Sequence, residues 1–257
     1  MKKHLSILTT AILCFGLIPA FAQFGRTPGG PKLDAAMSKL FGDNSAFTAT
    51  FESQIKQPSG DTITMPGKIS YDSGKTRMEM NMSEAKGMKM PPEAAEQMKS
   101  MGMDQMVTLT RPDKNLACII YPGLESYAEM PLPAAKAGTN DNFKIETTEL
   151  GKDTVDGHPC VENKVIVTGN NGVTNEFTVW NATDLKKFPV KIVHVEQGSE
   201  TSMLFKNVSL TKPAASTFDV PAGYTRYDNM QTMMQTEMMK KMGGGMGMPP
   251  GGMPPNH

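Results

Sequence analysis

The chain has 257 residues, with 26 basic and 26 acidic side chains that cancel in formal charge. This balance argues against nucleic-acid binding, because such binding depends on a basic surface that displaces counterions. The length is enough for one large β-rich domain or two small domains with a proper hydrophobic core.

The first residues have the three parts of a secretory signal peptide. A charged start at Lys2 precedes an apolar stretch over 5–18, and small side chains precede Gln23. The stretch is shorter than the ~20 residues of a membrane-spanning helix. We therefore expect residues 1–22 to be cleaved after Ala22, leaving a periplasmic or secreted chain without a transmembrane segment. Its charge would be 24 − 26 = −2, because both lost charges are lysines.

A flexible lead-in is predicted over 23–31, where glycine and proline are frequent. The main β domain is predicted over 32–226. It begins with one short amphipathic helix that ends at Gly42, because apolar residues follow at helical spacing: Leu33, Met37, Leu40 and Phe41.

From Ala46 the apolar residues alternate with polar ones, which predicts three successive strands. Their apolar positions are Phe47, Phe51 and Ile55, then Ile63 to Tyr71, then Met78, Met80 and Met82. Turn residues in the connections at 58–61 (Pro-Ser-Gly-Asp) and 72–74 (Asp-Ser-Gly) favour antiparallel hairpins.

A methionine-rich insert near 83–106 interrupts the strands, and Pro91 and Pro92 predict a helix in it that runs to about Ser100. Strand patterns then return at 107–111, 116–121, 126–130, 143–148, 161–168, 176–180, 190–195 and 203–210. We therefore predict a mainly β (α+β) fold, a curved antiparallel half-barrel with a few covering helices.

The C-terminal part changes character again. Methionines at helical spacing predict a helix over 227–242, and Gly243 begins a Gly/Pro/Met tail over 243–257 that we expect to be disordered. The helix could dock into the groove of its own domain, bind a partner or membrane surface, or stay unstructured.

Over residues 33–226 the chain resembles the LolA-like superfamily of exported domains, and especially a subgroup known as a domain of unknown function. Members of the superfamily include the periplasmic lipoprotein carrier. The residues that carry the resemblance are Phe47–Phe51, Gly67–Tyr71, Arg77–Met80, Arg111–Lys114, Tyr121, Pro122, Tyr127, Pro131, Gly151, Val155, Gly157, Cys160, Trp180, Asp184, Leu185, Phe188–Lys191 and Phe218–Tyr224.

The resemblance implies a strongly curved antiparallel sheet, closed by helices, whose apolar groove can hold acyl chains or an apolar partner segment. The strand pattern places five candidate groove residues on inward faces: Phe47, Phe51, Met78, Met80 and Met82. The carrier's own binding residues form no local motif that could be matched here.

Methionine is the outstanding feature of the composition, with 23 residues, nine of them between Met78 and Met106 and nine between Met230 and Met253. Three interpretations stay open. The thioethers could form a pliable apolar surface, fill gaps in the core, or bind Cu(I) through close pairs. Those pairs are Met88 with Met90, Met101 with Met103, and Met246 with Met248.

Cys118 and Cys160 are the cysteines that remain after loss of the signal peptide. In an oxidising compartment they are a disulfide candidate, and two buried thiols are the alternative. No catalytic, metal-binding or cofactor-binding motif occurs: His158, His194 and His257 lack ligand spacing, and nucleophile and phosphate-loop patterns are missing.

The sequence thus predicts an exported, non-enzymatic protein with no cofactor. Its expected partners are an apolar ligand, such as a lipid or a lipidated or unfolded protein segment, and outer-membrane or envelope components. The alternative function is a periplasmic Cu(I)-binding protein that uses the methionine-rich segments.

Overall fold

The structure is a computed structural model that describes residues 39–88, 90–132, 144–169, 172–196 and 198–243. The predicted signal peptide, the lead-in and the tail beyond Gly243 lie outside these residues and stay predictions. Of the predicted first helix, the described part is a 3-10 turn over Lys39–Phe41.

Within these ranges the chain forms two helices and twelve strands. The helices are α1 (Pro92–Ser100) and α2 (Met230–Gly243). The strands are β1 (Ala46–Lys56), β2 (Thr62–Asp72), β3 (Lys75–Asn81), β4 (Gln105–Arg111), β5 (Leu116–Tyr121), β6 (Ser126–Pro131), β7 (Lys144–Val155), β8 (His158–Thr168), β9 (Thr174–Ala182), β10 (Phe188–Glu196), β11 (Ser199–Ser209) and β12 (Thr225–Tyr227).

All twelve strands belong to one curved sheet that does not close into a barrel. Their spatial order is β12-β6-β5-β4-β3-β2-β1-β11-β10-β9-β8-β7. Neighbouring strands are antiparallel, except that β12 runs parallel to β6. The fold class predicted from the sequence is therefore confirmed.

The core face of the sheet is the side that carries Phe47 and Phe51 of β1, and the other side is called the opposite face. Alternation along β1 buries Phe47, Ala49 and Phe51 on the core face, whereas Thr48 and Thr50 stay half-buried on the opposite face. Cross-strand register carries this pattern to the neighbours, because Phe51 pairs with Gly67 and with Phe205.

The main hydrophobic core consists almost entirely of strand residues on the core face. Phe41, from the first 3-10 turn, contributes a ring whose centroid lies 4.7 Å from that of Phe47 and 5.6 Å from that of Phe188. Among the described residues, mainly strand residues surround these side chains, and the sheet buries them by curving around them.

A second cluster lies on the opposite face under the segment 214–224, which we call the strap. Phe218 of the strap is fully buried against residues of β4 and β5: Val107, Leu109, Cys118 and Ile120. Arg111 fixes the strap, because its Nη1 donates hydrogen bonds to the Phe218 carbonyl oxygen (2.7 Å) and to Asp219 Oδ1 (2.8 Å). The strap thus leads the chain from β11 across the sheet to β12.

Helix α2 packs against β6 and β12. Its Glu237 is buried, and the Oε1 atom accepts hydrogen bonds from Ser126 Oγ (3.0 Å), Tyr227 OH (2.6 Å) and Lys240 Nζ (2.8 Å). Since Ser126 pairs with Tyr121 in the core-face row, α2 covers the core face at this end of the sheet. The segment is therefore helical and packs on its own domain, but it does not line the groove described below, and docking as a plug in a ligand groove stays a prediction.

Three local predictions need correction. Met82 is not on the strand with Met78 and Met80, because β3 ends at Asn81, whose side chain accepts a hydrogen bond from Ser83 N and so caps a 3-10 turn that contains Met82. Strand β7 extends seven residues beyond the predicted end at Thr148, to Val155. Strand β12 was not predicted at all, because three residues carry no readable alternation.

Candidate ligand groove

A groove lies on the opposite face, across the middle of β11, β1, β2, β3 and β4. Its volume is about 480 Å³. The residues that line it are Thr50, Phe51, Glu52, Pro66, Gly67, Lys68, Arg77, Glu79, Met80, Asn81, Glu84, Gln105, Met106, Val107, Pro122 and Lys206. The groove therefore combines charged side chains with the backbone of several strands and a few apolar side chains.

Charges of both signs surround this groove. Arg77 Nε donates a hydrogen bond to Glu79 Oε1 at 2.6 Å, and Lys206 Nζ lies 3.7 Å from Glu52 Oε2. Lys68 and Glu84 add one more charge of each sign to the lining, so three carboxylates face three basic groups. Such a surface suits a ligand that has both an apolar part and charged groups.

Gly67 lies at the floor of the groove, between Phe51 and Met80 in the cross-strand row. A Cβ atom at this position would overlap Phe51 Cζ and come within 2.7 Å of the Glu79 carbonyl oxygen. The absence of a side chain therefore lets the Phe51 ring pack directly against the backbone of β2.

The structure separates the five predicted groove residues. Phe51 and Met80 line this groove, although the Phe51 side chain points to the core face and the residue is only 2% exposed. Phe47 and Met78 are buried in the main core behind the groove floor. Met82, in its 3-10 turn, does not line the groove.

The charged lining was not singled out from the sequence. Period-two alternation does place Glu52, Lys68, Arg77 and Glu79 together on the polar face of β1, β2 and β3. A polar face is ordinarily solvated, however, and the pattern carries no signal of curvature. The groove could therefore be recognised only once the sheet was seen.

The two cysteines are free and buried, and they belong to separate clusters on the sheet. The structure therefore agrees with buried thiols and does not form the disulfide candidate. Burial raises the pKa of Cys118 to about 11, and burial also raises the pKa of Cys160 above its ordinary value. Both thiols are protonated at neutral pH, which is unfavourable for a nucleophile.

One histidine–carboxylate pair is present, between His158 Nδ1 and Asp184 Oδ2 at 2.9 Å. The nearby Cys160 thiol donates to the main-chain oxygen of His158 at 3.3 Å and is not directed at the ring. In the residues that the structure describes, no three His, Cys, Asp or Glu side chains form a group that could hold a metal ion. No helix in the same ranges is long and apolar enough to cross a membrane.

A family model described as a domain of unknown function, DUF4412, matches residues 59–188. The chain belongs to this family. The match confirms the subgroup expected from the sequence. It spans this chain from the β1–β2 turn to the start of β10. A comparison with curated proteins found no match.

Several solved structures are similar to this chain. A LolA superfamily protein from Nitrosomonas europaea is 10% identical, with 73% of this chain and 95% of that chain covered, at a TM-score of 0.37. LprF from Mycobacterium bovis is 14% identical, with 72% and 99% covered and a TM-score of 0.37. The lipoprotein LppX from Mycobacterium tuberculosis is 8% identical, with 79% and 100% covered and a TM-score of 0.37.

Proposed function

We propose that this protein is a non-enzymatic binding protein of the cell envelope that holds an amphipathic ligand in the groove on the opposite face. The ligand would be a lipid or a lipidated or unfolded protein segment. The observation that carries the proposal is the groove itself, because its volume of about 480 Å³ is within the range of small-molecule sites.

The lining supports an amphipathic ligand over a purely apolar one. Pro66, Val107 and Pro122 offer apolar contact along the groove. The charged groups around them, such as Arg77 and Glu79, can pair with a zwitterionic head group or with the backbone of a peptide. The sequence-based hypothesis instead placed an apolar ligand in a groove lined by methionine and phenylalanine.

A non-enzymatic role is part of the proposal. Its support is that the two buried thiols are protonated at neutral pH and that the Cys160 thiol is directed at the main-chain oxygen of His158 and not at its ring. The envelope location depends on the predicted signal peptide. Mass spectrometry of the protein isolated from the cell envelope of its host should find an N-terminus at Gln23. A chain that still begins at Met1 would contradict export.

Native mass spectrometry of the protein purified from the envelope tests the ligand. We expect a bound lipid or peptide in the wild type and its loss in Gln105→Trp, which fills the groove from the start of β4. Gln231→Trp is the matched control, because Gln231 is an exposed residue of α2 outside the groove.

Titration with dodecylphosphocholine, an amphipathic probe with a zwitterionic head group, should show the same difference between the two tryptophan variants. A wild-type protein that carries no ligand and does not bind the probe contradicts the proposal. Equal binding by Gln105→Trp and Gln231→Trp contradicts the location in the groove.

A further inference from the structure

The two methionine-rich segments meet in the folded protein, although they are far apart in the sequence. Met101 and Met103, which follow α1, lie with Met238 of α2 around one small cavity of about 10 Å³. The remaining residues that line the cavity are Leu124, Glu237 and Lys241. Three methionine residues from two segments thus line one space.

Backbone packing fixes the first of these segments. Gly102 has φ = +74°, and its backbone lies so close to the β5–β6 turn that a Cβ atom there would overlap the Gly123 carbonyl oxygen. In addition, the Met103 amide donates to the Met98 carbonyl oxygen at 2.9 Å, at the C-terminal end of α1. Met101 and Met103 are therefore held in place on either side of Gly102.

Hydrogen bonds fix the second segment. Glu237 precedes Met238 on α2 and is bonded to Ser126 of β6 and to Tyr227 of β12. Both sides of the cavity are thus anchored to the same end of the sheet, and the methionines need no large rearrangement to act together.

The chemistry of the lining fits a soft monovalent cation. Thioether sulfur is a soft ligand that selects Cu(I) among the available metals, and a cavity of this volume admits about one atom-sized guest. The surface of the cavity is apolar, and the Glu237 carboxylate that lies next along α2 is already bonded to Ser126, Tyr227 and Lys240, so the thioethers are the ligand atoms that the site offers. Oxygen-preferring divalent cations find no set of carboxylates here.

We propose that Met101, Met103 and Met238 bind one Cu(I) ion through their Sδ atoms. This site is separate from the groove and does not depend on the proposed ligand function. Met88 and Met90, which the sequence also suggested, do not line the cavity. The site takes two ligands from the first methionine-rich segment and one from the second, so neither segment alone would form it.

Competition titration of the full mature protein against a chromophoric Cu(I) chelator tests the site, with Ag(I) as a probe that does not change oxidation state. We expect one ion per chain. Replacement of a single ligand, as in Met101→Leu, Met103→Leu or Met238→Leu, should weaken binding at least about tenfold. Leucine nearly conserves the side-chain volume, so these variants should fold, and circular dichroism melting checks this.

The neighbouring Met239→Leu variant is the control, because Met239 is 67% exposed and does not line the cavity. It should bind Cu(I) as the wild type does. The affinity should also be the same at about pH 6 and pH 8, because thioethers have no proton to release.

Three results would each overturn the proposal. They are no binding by the wild type, an equal loss in Met239→Leu, and full affinity in the triple leucine variant, which would assign the metal to other methionines. A steep rise of affinity with pH would point to histidine, cysteine or carboxylate ligands and would also overturn it.

Discussion

The anchoring of α2 by Glu237 gives the sharpest test of the structure. Glu237→Ala removes the acceptor for Ser126 Oγ and Tyr227 OH. Ser126 Oγ keeps an acceptor, because the Leu124 carbonyl oxygen lies 3.0 Å away. Tyr227 OH accepts from Lys240 Nζ at 3.2 Å and loses the acceptor of its own proton, but the residue is only half-buried, so water can take that place. We therefore count two lost hydrogen bonds to a carboxylate and no large desolvation penalty.

Each hydrogen bond to a charged group contributes about 1.5–3 kcal/mol, and two that share one acceptor atom are not additive. We expect Glu237→Ala to lower the free energy of unfolding by about 2–3 kcal/mol. The exposed ion pair with Lys240 is screened by solvent and is left out of this figure. Gln235→Ala is the control, because Gln235 is exposed on the same helix and its loss should change stability by less than about 0.5 kcal/mol.

Urea unfolding followed by circular dichroism measures both variants, and hydrogen exchange of the α2 amides shows whether the helix opens alone. Helix α2 should lose protection first in Glu237→Ala, because the lost hydrogen bonds join it to β6 and β12. If Glu237→Ala and Gln235→Ala unfold at the same urea concentration, the anchoring role of Glu237 is refuted.

The effect should also depend on pH. Burial raises the pKa of Glu237, but the hydrogen bonds from Lys240, Tyr227 and Ser126 outweigh it, so the pKa lies below its ordinary value. A carboxylate whose pKa is lowered by folding stabilises the protein above the unfolded-state pKa and loses this contribution as pH falls through the folded-state pKa. The difference between wild type and Glu237→Ala should therefore be constant near neutral pH and shrink in acid, below about pH 4.

Three further predictions follow from single positions. Gly102→Ala should lower the free energy of unfolding, measured in urea, by about 2 kcal/mol or more, because it adds a backbone clash to the strain of a positive φ. Gly223 has a similar φ of +85° with open space around it, so Gly223→Ala should lower that free energy by about 1 kcal/mol. Equal costs would contradict the close packing at Gly102. Phe47→Ala should lower stability by about 3–5 kcal/mol in thermal or urea unfolding, since the side chain is fully buried among aromatic rings, and a loss under about 1 kcal/mol would contradict that packing. Cys118 and Cys160 should resist a thiol reagent in the native protein and both react in urea; two unreactive thiols in the unfolded chain would indicate a disulfide.

Much of the sheet could be predicted from the sequence, because half-buried strands leave a period-two pattern. Strand β5 has the predicted bounds, Leu116–Tyr121, since buried and half-buried residues alternate along it and turns with positive φ flank it at Asn115 and Glu125. Strand β7 was predicted too short. It lies at an edge, where its residues are exposed on both faces and carry no alternation, and a register shift interrupts it between Glu149 and Gly151.

The candidate sites could be predicted less well, for a physical reason. Alternation shows that a side chain is buried but not whether protein or ligand covers it. Met78 is covered by the main core, whereas Met80 lies at the groove. The convergence of Met101 with Met238 depends on long-range packing, which no local pattern records.

The order of the strands has a consequence for how the protein folds. Strands β1 to β6 form one run of successive neighbours, and β7 to β11 form another. The two runs join only where β1 meets β11, as in the pairing of Phe51 with Phe205. The free edge of β6 stays unpaired longer still, until β12 forms and Thr225 pairs with Ser126. Contacts of such large sequence separation form slowly. The first run of strands therefore keeps two unpaired edges until β11 pairs with β1 and β12 pairs with β6.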